Sequence, residues 1–270
     1  MTSAEAPAER RVCSVLAASP LFSIVTVVRN DLAGLRKTLE SIDSQTCRNL
    51  ECIVVDGASS DGAPAFLAAS DRPHLHWSSE PDEGIYDAMN KGATRASGQF
   101  LIFMNAADVF ASEDVLARVA SALQEHGEHA VVYGGAFQQT PSGETFLKPD
   151  RPVKAIRYGM FTHHQAMFFH RSLFPECGYD KAWKIAGDYA LVASAYQKGH
   201  KFLRLSFPIC TFAEGGLSTQ RQTLGRQEGL LVQQKILRIG RLRRGLNELL
   251  QWTSCQLRTH CRPVYNWVRY

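Results

Sequence analysis

Carboxylates and amides recur where an apolar run gives way to a polar turn. Asp56 closes ECIVVD, Glu80 follows HLHWSS, and Asn105 and Asp108 follow FLIFM, while Arg29 and Asn30 follow LFSIVTVV. A carboxylate in such a place can accept hydrogen bonds from the N–H groups of a nucleobase. A second can hold a hard divalent cation through oxygen, and a cation there bridges a diphosphate and stabilises the charge that develops as it leaves. Transfer to a hydroxyl also needs a base, and Asp188, directly after Gly187, is a carboxylate available for that task. Each residue has a plainer reading beside this one. Asp56 is also a turn former before Gly57, Asp108 a loop acid, and Asp188 a helix N-cap.

The elements that must position these groups are legible from periodicity. Leu21–Val28 is a continuous β-branched run, as for a strand buried on both faces, and Asp31 then opens a helical stretch through Leu32, Leu35, Leu39 and Ile42. Further strands are expected at Glu51–Asp56, His74–Ser79 and Phe100–Asn105. Helices are expected at Ile85–Ala96 and near Ser112–His126, the latter capped by Ser112. Strand and helix alternating at this spacing predict a parallel sheet with right-handed crossovers, in which ligands bind beyond the carboxyl ends of the strands. All four candidate groups lie at those ends. The second half is less regular: a hairpin from Ala130–Phe137 and Glu144–Lys148, strands at Gln165–His170 and Lys201–Phe207, and a helix over Asp188–Gly199 ended by its glycine.

Several nucleotide chemistries are excluded by missing loops. The turn after the first strand is VRNDLAG rather than GxGxxG, and neither GxxxxGK[ST] nor GxSxG occurs. With 45% hydrophobic and 21% charged residues the composition is that of a globular domain. The seven cysteines are scattered without a CxxC pair, which speaks against a zinc site or disulfide framework and for a reducing compartment. No apolar run reaches the roughly 18 residues of a membrane span. Residues 1–20, with Arg10 and Arg11 before a short apolar stretch, read as a flexible leader.

Taken together, FSIVTVVRN, ECIVVDGASSDG, SEPDEGIYDAMNKGATRASGQFLIFMNAAD, HHQAMFFHRSLF and GDYALVASAYQKG resemble family 2 of the glycosyltransferases. They run in order from Phe22 to about Gly199, and the third is the most specific. The nearest likeness is to bacterial exopolysaccharide transferases of the colanic-acid cluster type, extending through Gly215-Gly216-Leu217-Ser218. The resemblance implies an α/β, GT-A type Rossmann-like domain over residues 21–220, with a central, mostly parallel sheet flanked by helices. It also implies inverting transfer of a sugar from a nucleotide-diphospho-sugar to a saccharide hydroxyl. Carried onto this chain, Asp56 is the acid that binds the base, Asp108 the metal-touching acid of the DXD-like motif, and Asp188 the catalytic base. Asp87 and Lys91 face the nucleotide-sugar, Lys91 as a phosphate or ribose contact. His164 and Gln165 lie toward the acceptor, with a buried structural histidine the alternative for His164. Arg29, Glu80 and Asn105 complete the donor side. The implied cofactor is Mn²⁺ or Mg²⁺, although Ala107 replaces the first of the two acids that many relatives carry.

The remaining signal is charge. From Lys235 to Tyr270 there are eight basic residues and one acid, so the tail holds more than the whole formal charge of +4 and the body is slightly acidic. Ile239, Leu242, Leu246, Leu249 and Thr253 recur at spacings of three and four beside Arg238, Arg241 and Arg244, with Trp252, Tyr265 and Trp267 nearby. A basic helical extension over 221–270 lying on an anionic membrane surface is one reading, suited to a polyprenyl-linked acceptor on the cytoplasmic face; a helix packed on the domain is the other. The donor implied is a GDP- or UDP-hexose, GDP-fucose among them, and nothing points to nucleic acid. The rivals are a non-catalytic nucleotide-sugar-binding protein of the same fold and a nucleotidyltransferase, for which VRNDLAG is a poor glycine-rich loop.

Overall fold

The computed structural model of the chain describes residues 19–140, 142–174, 178–213, 215 and 221–260. The leader up to residue 18, Gly216-Leu217-Ser218, and Tyr265 and Trp267 fall outside them.

Strand β1 (Phe22–Val28) is buried along its whole length. It pairs in parallel with β2 (Leu50–Asp56) on one side and β4 (Phe100–Phe103) on the other, while β3 (Leu75–Ser79) extends the sheet beyond β2. The strand period of two sends Phe22, Ile24 and Val28 to one face and Val25 and Val27 to the other. The first face is covered by α1 (Leu32–Asp43), the short α2 (Ala63–Ala68) and α4 (Val115–His126), through Leu35, Leu39, Leu67 and Val119. The second is covered by α3 (Ile85–Arg95), α5 (Gly187–Gln197) and α6 (Gln222–Lys235), through Met89, Tyr189 and Val232. Helix α3 approaches β1 so closely that a Cβ on Gly92 would lie 2.3 Å from Val25 Cγ1.

Beyond that half most pairings are antiparallel. The full order is β3-β2-β1-β4-β8-β6-β9-β5, with β7 on β6. The later strands are β5 (Val109–Phe110), β6 (Val131–Gln139), β7 (Thr145–Lys148), β8 (Met167–His170) and β9 (Phe202–Ala213). Here β4–β8, β6–β8, β6–β7 and β5–β9 are antiparallel and only β6–β9 is parallel. The sheet is therefore mixed, rather than mostly parallel as expected.

Local differences have physical causes. The fourth strand stops at Phe103, because Ala107 takes a left-handed φ of 74° and the chain turns there. Helix α4 starts after Asp114, not Ser112, whose hydroxyl is occupied by the Asp114 carboxylate. Gln165 lies in a 3₁₀ turn, His164–Ala166, that precedes β8 instead of within a strand. Cys52 and Cys210 are free and buried, whereas Cys47 is disulfide-bonded, which runs against the expectation of no disulfide framework and which the scattered spacing gave no sign of.

The basic extension is partly domain. Helix α6 packs into the core beside α5, and Leu237 and Ile239 follow it inward. Helix α7 (Arg241–His260) is tied down by Asn247, which is buried and donates to Arg157 O at 2.9 Å and Gln233 Oε1 at 3.0 Å. Among the described residues no helix is long and apolar enough to cross a membrane.

Candidate active site

Beyond the carboxyl ends of β1 and β4 opens a cavity of about 600 Å³, whose lining includes Arg29, Asp87, Asn105, Lys181, Lys184 and Arg221. Two of its sides are loops that follow parallel strands, and a third is the first turn of α3. That is where a sheet of this topology leaves a crevice.

Asp56 ends β2 with its side chain buried. One oxygen, Oδ2, accepts from Ser59 N at 3.0 Å and Ser79 Oγ at 2.6 Å, so the residue does shape its turn. The other, Oδ1, is buried without a partner among the described residues. An orphaned carboxylate oxygen is costly unless a ligand donates to it, so turn forming alone does not account for this residue. At Gly57 a Cβ would stand 2.4 Å from Asp82 Oδ2 and 3.4 Å from Arg29 Cδ, so a larger residue there would displace the Asp82 side chain.

On α3, Asp87 lines the cavity. The backbone N–H of Glu83, which donates at 3.2 Å, holds its carboxyl below the usual range, aided by the ammonium of Lys181 at 3.1 Å and that of Lys91 at 3.4 Å. Lys91 itself donates to Pro81 O at 2.8 Å, and Glu80 pairs with Arg95 at 3.0 Å. Neither Lys91 nor Glu80 lines the cavity; they brace the loop that enters α3.

Asn105 and Asp108 form one turn. Asp108 Oδ2 accepts from Asn105 N at 3.1 Å, and Thr38 of α1 donates to Asp108 O at 2.8 Å. Burial pushes the Asp108 carboxyl up to about 7, against hydrogen bonds from the Gln165 side chain and Asn105 N–H that favour the charged form. Asn105 Oδ1 is buried and unpartnered. Among the described residues no three His, Cys, Asp or Glu cluster as a metal site. Asp108 and Asn105 would offer a cation at most two oxygens. That fits a hard cation only where a diphosphate supplies further ligands.

Asp188 stands in the first turn of α5. The N-cap is Ala186, so capping is not its role, and its Oδ1 accepts from Tyr189 N at 2.8 Å. Its Oδ2 lies 3.7 Å from His164 Nδ1, with the two side chains 22% and 17% exposed. Neither of them lines the cavity. Burial raises the Asp188 carboxyl above its usual range against the opposing pull of His164. Burial likewise lowers the imidazole against the opposing charge of Asp188, and its Nε2 has no partner among the described residues.

The 3₁₀ turn joins these centres: Gln165 hydrogen-bonds Asp108 while its neighbour His164 faces Asp188. Sequence reasoning missed Lys181, Trp183, Lys184 and Arg221 in the cavity wall. The first three had a signal in DKAWK just before Gly187-Asp188, where basic and aromatic residues crowd together; Arg221 had none.

The fold is shared with glycosyltransferases of known structure. Staphylococcus aureus TarS (residues 1–349) superposes with a TM-score of 0.64 at 16% identity, over 89% of this chain and 72% of that one. The mannosyltransferase PcManGT of Pyrobaculum calidifontis, solved with GDP-Man and Mn²⁺, gives 0.63 at 20% identity, over 83% and 66%. The likeness establishes the GT-A type fold. In sequence, glycosyltransferase Rv1514c of Mycobacterium tuberculosis is 32% identical over 212 residues, 77% of this chain and 80% of its own. A PGL/p-HBAD biosynthesis glycosyltransferase of Mycobacterium bovis BCG is 33% identical over 179 residues, 64% and 68% of the two chains. The family model of glycosyl transferase family 2 matches residues 23–179, more than half of the chain and all of the donor-side turns, and with relatives this similar beyond it the chain belongs to that family and is a glycosyltransferase.

Proposed function

We propose that the protein is an inverting glycosyltransferase that moves a hexose from a nucleotide-diphospho-sugar to a hydroxyl of a lipid-linked saccharide in bacterial polysaccharide synthesis. The observation that carries this reading is the His164-Gln165 turn. Through adjacent side chains it touches both Asp108 on the donor side and Asp188 on the acceptor side.

Asp56 Oδ1 takes an N–H of the base, and Arg29, Lys184 and Arg221 offset diphosphate charge in the cavity. Asp108 and Asn105 would hold Mn²⁺ or Mg²⁺ together with the diphosphate, and such a cation would supply Lewis-acid stabilisation of the leaving group. Asp188 accepts the proton of the acceptor hydroxyl. As it does so, the acceptor oxygen bonds to the anomeric carbon, and the bond from that carbon to the diphosphate oxygen breaks with its electron pair leaving on the nucleotide. One in-line displacement through an oxocarbenium-like transition state inverts configuration. The raised carboxyl of Asp188 makes it a stronger base than an exposed aspartate, once it is ionised.

Support for the donor class comes from neighbours of the same fold solved with UDP-GlcNAc or with GDP-Man and Mn²⁺. A relative named for PGL/p-HBAD biosynthesis supports a glycan product on a lipid or aromatic carrier. A working place on the cytoplasmic membrane face follows from the acceptor and from α7. The test is a thermal-shift panel of UDP-GlcNAc, GDP-mannose and GDP-fucose with and without Mn²⁺, since a ligand that binds only the native state must raise its melting temperature. One nucleotide class is expected to stabilise the protein, less so without Mn²⁺, and not at all in Asp56→Ala. Stabilisation that survives Asp56→Ala unchanged would remove Asp56 from the base site.

A further inference from the structure

The segment that delivers Asp188 is gripped from two sides. On one side Glu228, a buried side chain of α6, accepts from three successive backbone N–H groups: Lys184 N at 2.9 Å, Ile185 N at 2.8 Å and Ala186 N at 2.8 Å. On the other side the Tyr86 hydroxyl of α3 donates to Ile185 O at 2.6 Å and accepts from Gly187 N at 3.0 Å. The fit is tight at both contacts. A Cβ on Gly187 would lie 2.7 Å from the Tyr86 ring, and one on Gly225 of α6 would lie 3.0 Å from Ile185 Cγ2.

A buried carboxylate is expensive unless its oxygens are satisfied, and three charge-assisted hydrogen bonds satisfy this one. One of them meets the N–H of Ala186, the N-cap of α5, which has no side-chain cap of its own. Every backbone atom donated to Glu228 lies within four residues of Asp188, so the position of that carboxylate is set by a helix that sequence alone assigns to a peripheral extension.

We propose that Glu228 is a positioning residue for Asp188, its carboxylate fixing residues 184–186 so that the first turn of α5 presents Asp188 beside His164. The proposal rests on the reading of Asp188 as the base. The groups that face Asp188 are His164 from the 3₁₀ turn, Tyr86 from α3, Tyr179 from the loop before α5 and Glu228 from α6. Of these Glu228 alone adds negative charge near neutral pH, and that charge opposes ionisation of Asp188.

The experiment compares wild type, Glu228→Gln, Glu228→Asp and Asp188→Asn in nucleotide release from UDP-GlcNAc, GDP-mannose or GDP-fucose with Mn²⁺, water serving as the acceptor, across pH. Glu228→Gln is expected to lower kcat about 10- to 100-fold, the scale of a misplaced catalytic group, with KM changing far less. Its acidic limb should move to lower pH, because the charge opposing ionisation is gone. Glu228→Asp keeps the charge but is shorter, so its limb should stay in place while kcat falls to an intermediate value.

Wild-type kcat in both folded Glu228 variants, with Asp188→Asn inactive, would overturn the positioning role and leave the base in place. Full activity of Asp188→Asn would overturn the base and the positioning role with it. Should neither Glu228 variant melt cooperatively, the residue serves folding alone and the proposal falls.

Discussion

Burial by itself would push Glu51 toward the neutral form. The hydroxyl of Ser23 at 2.6 Å, Ser97 N at 2.7 Å with its hydroxyl at 3.0 Å, and Gly98 N at 3.0 Å outweigh that and hold it below 4.5. A carboxyl depressed in the native state stabilises the fold above its unfolded value and loses that contribution as pH falls through the folded one. Glu51→Gln should therefore cost about 1–3 kcal/mol near neutral pH, the scale of hydrogen bonds to a charged group. Its melting curve should converge with wild type as pH drops below 4.5. A constant gap in melting temperature from pH 7 to pH 3 would show that the charge is not what stabilises. Glu51 and Asp56 sit at opposite ends of β2, and the contrast separates a structural from a functional carboxylate. At Glu51 the hydrogen-bond donors come from the protein; at Asp56 one oxygen lacks a donor. Sequence gives both residues the same appearance, an acid at the edge of a β-branched run.

Among the elements, α7 gives the clearest division of faces. Asn247 turns inward, while Leu242 is 95% exposed and Leu246, Leu249 and Leu250 are more than half exposed. Arg241 and Arg243 flank the stripe, and the Arg243 guanidinium reaches the Tyr158 hydroxyl at 3.1 Å. The helix is therefore docked on the domain, as one of the two sequence readings has it, and its apolar stripe is not what docks it. In the proposed membrane role, Leu242→Gln and Leu246→Gln should each weaken binding to vesicles of mixed neutral and anionic lipid about tenfold, the equivalent of burying one leucine. Melting temperature should scarcely change, since surface substitutions of this kind stay within about 0.5 kcal/mol. Sedimentation with vesicles reads the first and calorimetry the second. Unchanged sedimentation would leave the stripe without a lipid role. The 3₁₀ turn carries the opposite lesson. Gln165 has strand-like neighbours in MFFH, yet the turn is what lets consecutive side chains serve two carboxylates. Periodicity has no means of flagging a three-residue bend.

For the molecule as a whole, the parallel half was readable because each strand is a continuous apolar run and each helix has a strong period. Asp31 capping α1 through Gly34 N at 2.9 Å is one such agreement. In the second half the elements were readable, the β6–β7 hairpin and α5 among them, but their order was not, because it depends on pairings distant in sequence. β9 lies between β6 and β5, and register shifts between Tyr133 and Ala136 leave no local signature. Candidate residues at strand ends could be picked out for the same reason the strands could. Those supplied by loops and by α6, such as Lys184 and Glu228, could not, since their roles follow from where tertiary packing puts them. In the proposed mechanism the donor turns lie on the parallel half and α5 brings the base from the other half.

The central claim is that Asp188 is the base, and the direct measurement is turnover of Asp188→Asn with the nucleotide-sugar that stabilises the protein. The account predicts a fall in kcat of about 10²- to 10⁴-fold, the range of a lost general base, with the thermal shift by donor preserved. Turnover near wild type in a protein that still binds donor would contradict it.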